Sequence, residues 1–241
     1  MSSTQSLNYL LAGLSPGDFE ILRPNLRPVD LPLRRVLETP SRPVQHVFFL
    51  ETGIASVVAV QSREPRVEVG LIGREGMTGL SVVLGDDQTP NQTYMQVAGA
   101  GLQITADLLR EGVARSAGIQ KVALKFVHSF VVQASQTAIT NAHGRIEERL
   151  SRWILMAHDR GTGSTIHLTH EFLSLMLGVR RAGVTEALHV LVKRGLVSSA
   201  RGAITVMNRG ELESSAGDSY GVPEAEYRRL FGNWYGNVQN K

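Results

Sequence analysis

Hydrophobic and polar residues are arranged in two different ways along this 241-residue chain, and the change falls near residue 107. In the first part, short apolar runs alternate with turn-forming residues. Two apolar runs around Glu51-Thr52-Gly53 predict a β-hairpin. Further strands are predicted at 67–72, 93–97 and 102–105, the last after a turn at 99–101. Short helices at 7–14 and 18–22 precede them, with Ser15 as a cap before Pro16. Many short strands at regular spacing indicate an antiparallel β-roll.

The second part has helical periodicity. From residue 119 to 143, small or apolar residues recur at steps of 4, 3, 4, 3 and 4, the spacing of a coiled-coil interface. This pattern predicts a long dimerisation helix with the interface residues Ala123, Val127, Phe130, Ala134, Thr137 and Asn141. Packing of the same face on the chain's own sheet is the open alternative. A break at 141–144 precedes a new amphipathic helix at 145–159.

Residues 166–206 combine two helices, a glycine turn and a hairpin. Thr169 is a plausible N-cap for a first helix, and Gly178 lies where a tight turn needs a residue without a Cβ. A second helix at 180–194 has an apolar stripe of Val184, Leu188 and Leu191. Strands at 196–199 and 203–207 would form a two-stranded wing. This order is typical of a winged helix-turn-helix, whose second helix enters the major groove of DNA.

Charge is concentrated in the same segment. The whole chain has a net charge of +3, whereas residues 143–210 hold 10 basic and 5 acidic side chains. A basic segment in an otherwise neutral chain indicates a polyanionic partner. The chain has no cysteine, which excludes disulfides, iron–sulfur clusters and cysteine nucleophiles. Because no stretch has the composition of a signal peptide or a membrane span, we expect a cytoplasmic protein with no membrane partner.

The segment LTHEFLSLMLGVRRAGVTEALHVLVKRGLV resembles the helix-turn-helix of the CRP/FNR family of bacterial transcription regulators, and the likeness covers residues 7–208. The resemblance implies that Thr169 contacts a phosphate, that Gly178 forms the turn and that Arg181 reads a guanine. Arg180, Ala182, Gly183 and Glu186 depart from the family's usual residues, which implies a different target sequence. The complete expected DNA-binding set is Thr169, His170, Arg180, Arg181, Thr185, Glu186, His189 and Arg201.

The resemblance implies an α+β fold with an N-terminal antiparallel β-roll (a double-stranded β-helix of jelly-roll type), a long dimerisation helix and a C-terminal winged helix-turn-helix. We predict a sensor roll at 1–118, the dimerisation helix and hinge at 119–143, the DNA-binding domain at 144–210 and a tail at 211–241. In the tail, 211–221 resembles a linker, and a short helix at 223–231 is expected to pack on the body through Tyr227, Leu230 and Phe231. The implied partners are double-stranded DNA with a pseudo-palindromic operator, a second copy of the chain, RNA polymerase and an unidentified small-molecule effector.

The effector pocket departs from the cyclic-nucleotide-binding pattern of the family. The segment around Gly76, Met77 and Thr78 has no glutamate after the glycine, and the segment around Gln92 and Thr93 has no arginine. A half-buried phosphate needs a cation and converging donors. We therefore interpret these five residues as a vestigial pocket and expect a regulator that does not depend on cyclic nucleotides. Gating by a cyclic nucleotide or another small ligand is the alternative.

Other functional classes have little support in the sequence. A cupin-like enzyme would need a His-x-His metal motif, which is absent, and no catalytic triad or paired carboxylates stand out. A regulatory module that does not bind DNA would need neither the winged motif nor its basic surplus. We expect a protein that is not an enzyme and has no metal and no cofactor.

Overall fold

The computed structural model describes residues 6–60, 67–161, 163–200 and 202–232. Seven N-terminal strands form two antiparallel sheets with the orders β1-β7-β3 and β2-β6-β4-β5. The strands are β1 Arg27–Leu31, β2 Val36–Glu38, β3 His46–Leu50, β4 Ile54–Ala59, β5 Val67–Ile72, β6 Asn91–Val97 and β7 Gly99–Thr105. The two sheets enclose the first hydrophobic core, so the expected antiparallel roll is confirmed.

Helices complete this N-terminal part. They are α1 Tyr9–Ala12, α2 Pro16–Leu22, α3 Leu80–Val83 and α4 Ala106–Arg115, and a 3-10 turn follows α2 at Arg23–Asn25. As predicted, Ser15 caps α2, with its hydroxyl accepting the Asp18 N–H and proline following at the first helical position. The sequence analysis did not identify α3 or α4.

The segments before and after residues 51–53 do not form the predicted hairpin. β3 pairs with β7, whereas β4 pairs with β5 and β6, so the turn carries the chain from one sheet to the other. The predicted turn at 99–101 is also wrong, because these residues belong to β7. A Cβ on Gly99 would overlap the Thr52 carbonyl, and one on Gly101 would overlap the Phe49 carbonyl. These glycines therefore allow two backbones to approach each other closely, which is a common role of glycine in a strand.

The C-terminal half is mainly helical. Its helices are α5 Ala117–His143, α6 Ile146–Arg160, α7 His170–Leu177, α8 Arg181–Lys193, α9 Arg209–Ala216 and α10 Val222–Phe231. Three strands, β8 Thr165–His167, β9 Val197–Ala200 and β10 Ala203–Val206, form one sheet in the order β8-β10-β9. The wing thus has a third strand that the sequence analysis missed. The predicted linker from residue 211 is wrong, because Asn208 caps α9 and Leu212 is fully buried.

The roll and the C-terminal helices share a second hydrophobic core. Ile54, Val58 and Leu71 of the roll belong to the same buried cluster as Trp153 of α6 and Leu173 of α7. No helix in the described ranges has the length and apolar character needed to cross a bilayer.

Polar contacts reinforce the junction between the roll and α6. Glu68 of β5 is buried and accepts hydrogen bonds from Trp153 Nε1 at 2.7 Å and from Ser56 Oγ at 2.5 Å. The buried pair Arg160–Glu75, at 2.8 Å, joins the end of α6 to the loop after β5. The two parts of the molecule are thus held together by both apolar packing and buried polar groups.

The predicted interface residues on α5 are largely covered by their own chain. Ala123 and Phe130 belong to the core of the roll, and Val127 and Thr137 are also buried. Only Ala134 and Asn141 are partly exposed. The prediction identified a real helix face but assigned it to a partner, whereas the structure uses most of it for packing within the protomer, the alternative left open by the sequence.

A different face of α5 is open. Its residues recur at the same steps of 4, 3, 4, 3 and 4, and every one is exposed: Leu124, His128, Val131, Ser135, Ala138 and Ala142. We call this face the exposed stripe. Ile139, beside it, is 57% exposed. The short helix predicted in the tail is confirmed as α10, with Tyr227 buried and its hydroxyl donating to the Glu75 carbonyl at 2.8 Å. α10 packs along α5 beside the exposed stripe, and its Glu226 lies 2.8 Å from His128 of the stripe.

Candidate DNA-binding site

The helix-turn-helix is built as its sequence predicts. The Thr169 hydroxyl caps α7 by accepting the Phe172 N–H at 3.2 Å. Gly178 ends α7 in the left-handed region, with φ of 59°, which lets the chain turn sharply into α8. Val184 and Leu191 of α8 are fully buried against the rest of the domain. The orientation of α8 is therefore fixed by packing, and its opposite face is open.

The open face of α8 carries most of the predicted base-contacting side chains. Arg180 lies at the N-cap position of α8, and Arg181 is the first residue of the helix. Both are exposed, as are Glu186 and His189. His189 lies on the side of α8 away from Val184 and Leu191, whereas Arg181 is exposed because it is the first residue of the helix. A long cationic side chain at the start of an exposed helix can reach a groove of DNA.

Thr185 and His170 contact each other. The His170 Nδ1 lies 3.1 Å from Thr185 Oγ1, and the Thr185 hydroxyl also lies 3.1 Å from the Arg181 carbonyl oxygen. The two side chains therefore link α7 to α8. Any contact with DNA would have to share or replace these hydrogen bonds, so this pair has a structural role that the sequence did not reveal.

The wing is attached to the start of α7 through the Leu168 N–H, which donates to the Gly202 carbonyl at 2.6 Å. Gly202 has φ of 77° and forms the turn between β9 and β10. Arg201, predicted to contact DNA from the wing, lies outside the described residues.

Residues 143–210 present fewer basic side chains at the surface than their sequence contains. Arg152 and Arg160 are buried, and Arg160 forms its ion pair with Glu75. Arg209 pairs with Asp159 at 2.8 Å and with Glu213 at 2.9 Å. Counting charge along the sequence could not separate these internal cations from the exposed ones. Among the described residues of this segment, the exposed cations are Arg180 and Arg181 at the start of α8, Lys193 and Arg194 at its end, and Arg145 at the start of α6.

Four of the five predicted effector residues are part of the roll's interior. Gly76, Met77, Thr78 and Thr93 are buried. The Thr78 hydroxyl accepts the Phe48 N–H at 3.0 Å, and a Cβ on Gly76 would overlap the ring of Phe126. These residues thus connect strands and the long helix.

A buried carboxylate that the sequence analysis missed lies beside them. Glu38 Oε1 accepts the Gly79 N–H at 3.0 Å, and Glu38 Oε2 accepts the Thr93 hydroxyl. Gly79 is the N-cap of α3. Burial raises the pKa of Glu38, although both hydrogen bonds act in the opposite direction. The only signal in the sequence was an acidic residue within a short apolar run, which is too common to be diagnostic.

Gln92, the fifth predicted effector residue, faces the opposite way from Thr93. It lines a cleft of about 700 Å³ between the sheet β2-β6-β4-β5 and the helix-turn-helix. Arg34, Val36 and Tyr94 contribute to the roll side of the cleft. The opposite side contains Thr169, Glu171, Phe172, Leu175, Val179 and Arg180. Within the described ranges, no group of three or more His, Asp or Glu side chains is arranged to hold a metal ion.

Residues 148–215 match the family model of the Crp-like helix-turn-helix domain. These residues therefore form a Crp-like helix-turn-helix domain, in agreement with the resemblance to the CRP/FNR family stated from the sequence. No curated protein sequence matches the chain significantly.

Solved structures share the fold over most of the chain. FixK2 from Bradyrhizobium japonicum has a TM-score of 0.69 at 14% identity, covering 78% of this chain and 96% of its own. A CRP-family regulator from Thermus thermophilus has a TM-score of 0.67 at 13% identity, covering 80% and 99%. The regulator CLP from Xanthomonas campestris, described as responsive to c-di-GMP, has a TM-score of 0.64 at 14% identity, covering 80% and 99%. The predicted fold class, including the roll, the long helix and the winged domain, is thereby confirmed.

Proposed function

We propose that this regulator binds a pseudo-palindromic DNA site as a homodimer and that α8 of each protomer enters one of two successive major grooves. The observation that carries the proposal is the position of Arg181, which is exposed as the first residue of α8, a helix whose orientation is fixed by the buried Val184 and Leu191. From such a position, arginine can donate two hydrogen bonds to the O6 and N7 atoms of a guanine. Arg180, at the helix end, is placed to hold a phosphate.

The exposed stripe on α5 supports the dimer. Leu124 is 43% exposed and Val131 is 55% exposed, and both are apolar. They are seven residues apart, so they return to the same side of the helix after two turns. Pairing two such helices would bury these side chains, and it would hold the two DNA-binding domains at a fixed distance. Recognition helices must be about 34 Å apart to reach successive grooves.

Glu38 supports independence from cyclic nucleotides. A cyclic phosphate bound in the roll would need free donors and a cation. Here the Gly79 N–H and the Thr93 hydroxyl already donate to a carboxylate of the same chain. A second anion beside Glu38 would be repelled at short range in a poorly solvated site. We therefore expect calorimetry to detect no micromolar binding of cyclic AMP or cyclic GMP.

Selection of bound duplexes from a random pool tests the DNA-binding proposal. The selected sites should contain two inverted half-sites about one helical turn apart, or a multiple of it. Fluorescence anisotropy on the best site should give an affinity that falls steeply with salt and exceeds that for a scrambled duplex. Selection of a single half-site, or equal affinity for both duplexes, would contradict the proposal.

A further inference from the structure

The cleft between the roll and the helix-turn-helix has the size and lining of a small-molecule site. Its volume of about 700 Å³ lies within the range of about 300–1,000 Å³ that is usual for ligand pockets. Val36, Leu175 and Val179 supply apolar surface. The rings of Tyr94 and Phe172 meet there edge to face, with centroids 6.4 Å apart. A planar apolar group would find both aliphatic and aromatic partners in this cleft.

Polar groups that converge on the cleft have no partner within the described part of the chain. This holds for the guanidinium groups of Arg34 and Arg180 and for the side-chain amide of Gln92. The backbone of Arg34 is held in the left-handed region, with φ of 66°, by donation of its N–H to the Met95 carbonyl at 2.8 Å. This conformation is uncommon for a residue other than glycine. The fold thus fixes the Cα of a cationic residue at the mouth of the cleft.

We propose that this cleft binds a small aromatic acid and that the ligand opposes DNA binding. The cleft is lined by two cationic side chains, Arg34 and Arg180, and by one anionic side chain, Glu171. Its net charge is therefore positive by one, which a single acid group of a ligand would balance. Guanidinium groups bind carboxylates through paired, charge-assisted hydrogen bonds. The ring system of the ligand would lie against Tyr94 and Phe172. An apolar lining of this kind favours a hydrophobic ring over a ribose.

The coupling to DNA follows from shared residues and therefore rests on the proposed function. Thr169 and Arg180 line the cleft, and the same two side chains are the expected phosphate contacts. An acid group held by Arg180 removes that cation from the DNA surface. By linkage, the ligand and the duplex must lower each other's affinity by the same factor.

The test uses 1-anilinonaphthalene-8-sulfonate, an aromatic anion whose fluorescence rises on binding, and its uncharged parent N-phenyl-1-naphthylamine. The full-length protein is titrated with each probe. The variant Arg34→Gln removes a cation from the roll side of the cleft and leaves the DNA-binding helices unchanged. Arg35→Gln is the matched control, since Arg35 is the next residue, donates to the Asp30 carbonyl and does not line the cleft. Each variant's affinity for the selected duplex is measured without probe.

We expect Arg34→Gln to weaken binding of the sulfonate about tenfold, the loss of one charge-assisted contact, and to leave binding of the neutral parent unchanged. Arg35→Gln should bind both probes within about twofold of the wild type. The duplex should displace the sulfonate, and naphthalene-1-acetate should displace it more strongly than cyclic AMP does. Equal sulfonate binding by both variants, or no competition with DNA, would overturn the proposal. Stronger displacement by cyclic AMP would overturn the assigned ligand class.

These outcomes are separable from failure of the DNA-binding proposal. Sulfonate binding to apolar surface elsewhere, such as the exposed stripe, would be insensitive to Arg34→Gln. If the selected duplex were not bound even without probe, the proposed function would fail. The charge dependence of probe binding would still test the cleft by itself.

Discussion

Replacing Glu68 by glutamine tests how the roll is joined to the DNA-binding domain. Glu68 is buried where β5 meets α6, and its carboxylate accepts hydrogen bonds from Ser56 and from the indole N–H of Trp153. Glutamine has nearly the same shape and keeps an oxygen that can accept from Trp153. The substitution therefore removes a titratable group from the junction and preserves most of its packing.

The expected effect is on the pH dependence of stability. Burial raises the pKa of Glu68 from 4.5 to about 7, although both hydrogen bonds and the charges of Arg152 and Arg160 act in the opposite direction. The folded protein then holds a proton that the unfolded chain releases. The free energy of unfolding should thus fall as the pH rises from 4.5 to about 7 and change little above that. The difference between the two pKa values corresponds to about 3 kcal/mol, of which about 2 kcal/mol falls between pH 5 and pH 8.

Urea denaturation at pH 5 and pH 8 measures this difference. Wild-type protein should lose about 2 kcal/mol more stability than Glu68→Gln between the two values. Burial also raises the pKa of Asp159 to about 6 and lowers that of His158, but both groups are present in both proteins and cancel in the comparison. Glu111→Gln, at an exposed position, serves as the control and should follow the wild type. If Glu68→Gln and the wild type showed the same pH dependence, the reasoning about this buried carboxyl would be refuted.

Further predictions concern the DNA surface, the dimer and the roll. Arg181→Ala should reduce the discrimination between bases at one base pair per half-site by about 1–3 kcal/mol. Arg180→Ala should weaken binding to all duplexes equally and reduce the salt dependence of the affinity. Fluorescence anisotropy with specific and scrambled duplexes distinguishes the two results. Val131→Glu should give a folded monomer in sedimentation, and a dimer of unchanged strength would exclude the exposed stripe. Replacing its buried neighbour Phe130 by alanine should lower the free energy of unfolding by about 3–5 kcal/mol, measured by denaturation. Glu38→Ala should cost about 2–4 kcal/mol, because two buried donors lose their acceptor, and a neutral result would contradict this assignment.

The helix-turn-helix could be predicted from sequence because its signals are local. Thr169 as a cap, Gly178 at a left-handed turn and the spacing of Val184 and Leu191 each follow from interactions within a few residues along the chain. The structure confirms each of them. The predicted ends of α5 and α6 also agree with the structure to within about two residues, which is the usual uncertainty in helix bounds.

Features that depend on contacts between distant segments were missed or misassigned. The glycines in β7 were interpreted as a turn. The carbonyls of Thr52 and Phe49, which leave no room for a side chain at these glycines, lie about fifty residues earlier in the chain. The periodicity of α5 correctly predicted a helix but not which face the roll covers, since two faces have the same spacing. The role of Glu38 depends on Gly79 and Thr93, which are more than forty residues away. Local patterns carry no information about such partners.

The positions of Glu38 and Arg180 together suggest where regulation of this protein can act. In the roll, a carboxylate of the chain itself takes the buried donors, so an anion entering there would have to displace an internal group. In the cleft, Arg34 and Arg180 face a partly apolar wall and have no side-chain partner among the described residues, so an anion entering there would displace no internal carboxylate of that part of the chain. Because Arg180 also belongs to the expected DNA surface, an anion in the cleft competes directly with a phosphate for the same charge. On this argument, a ligand of the cleft would release the regulator from its operator and would require no rearrangement of the roll.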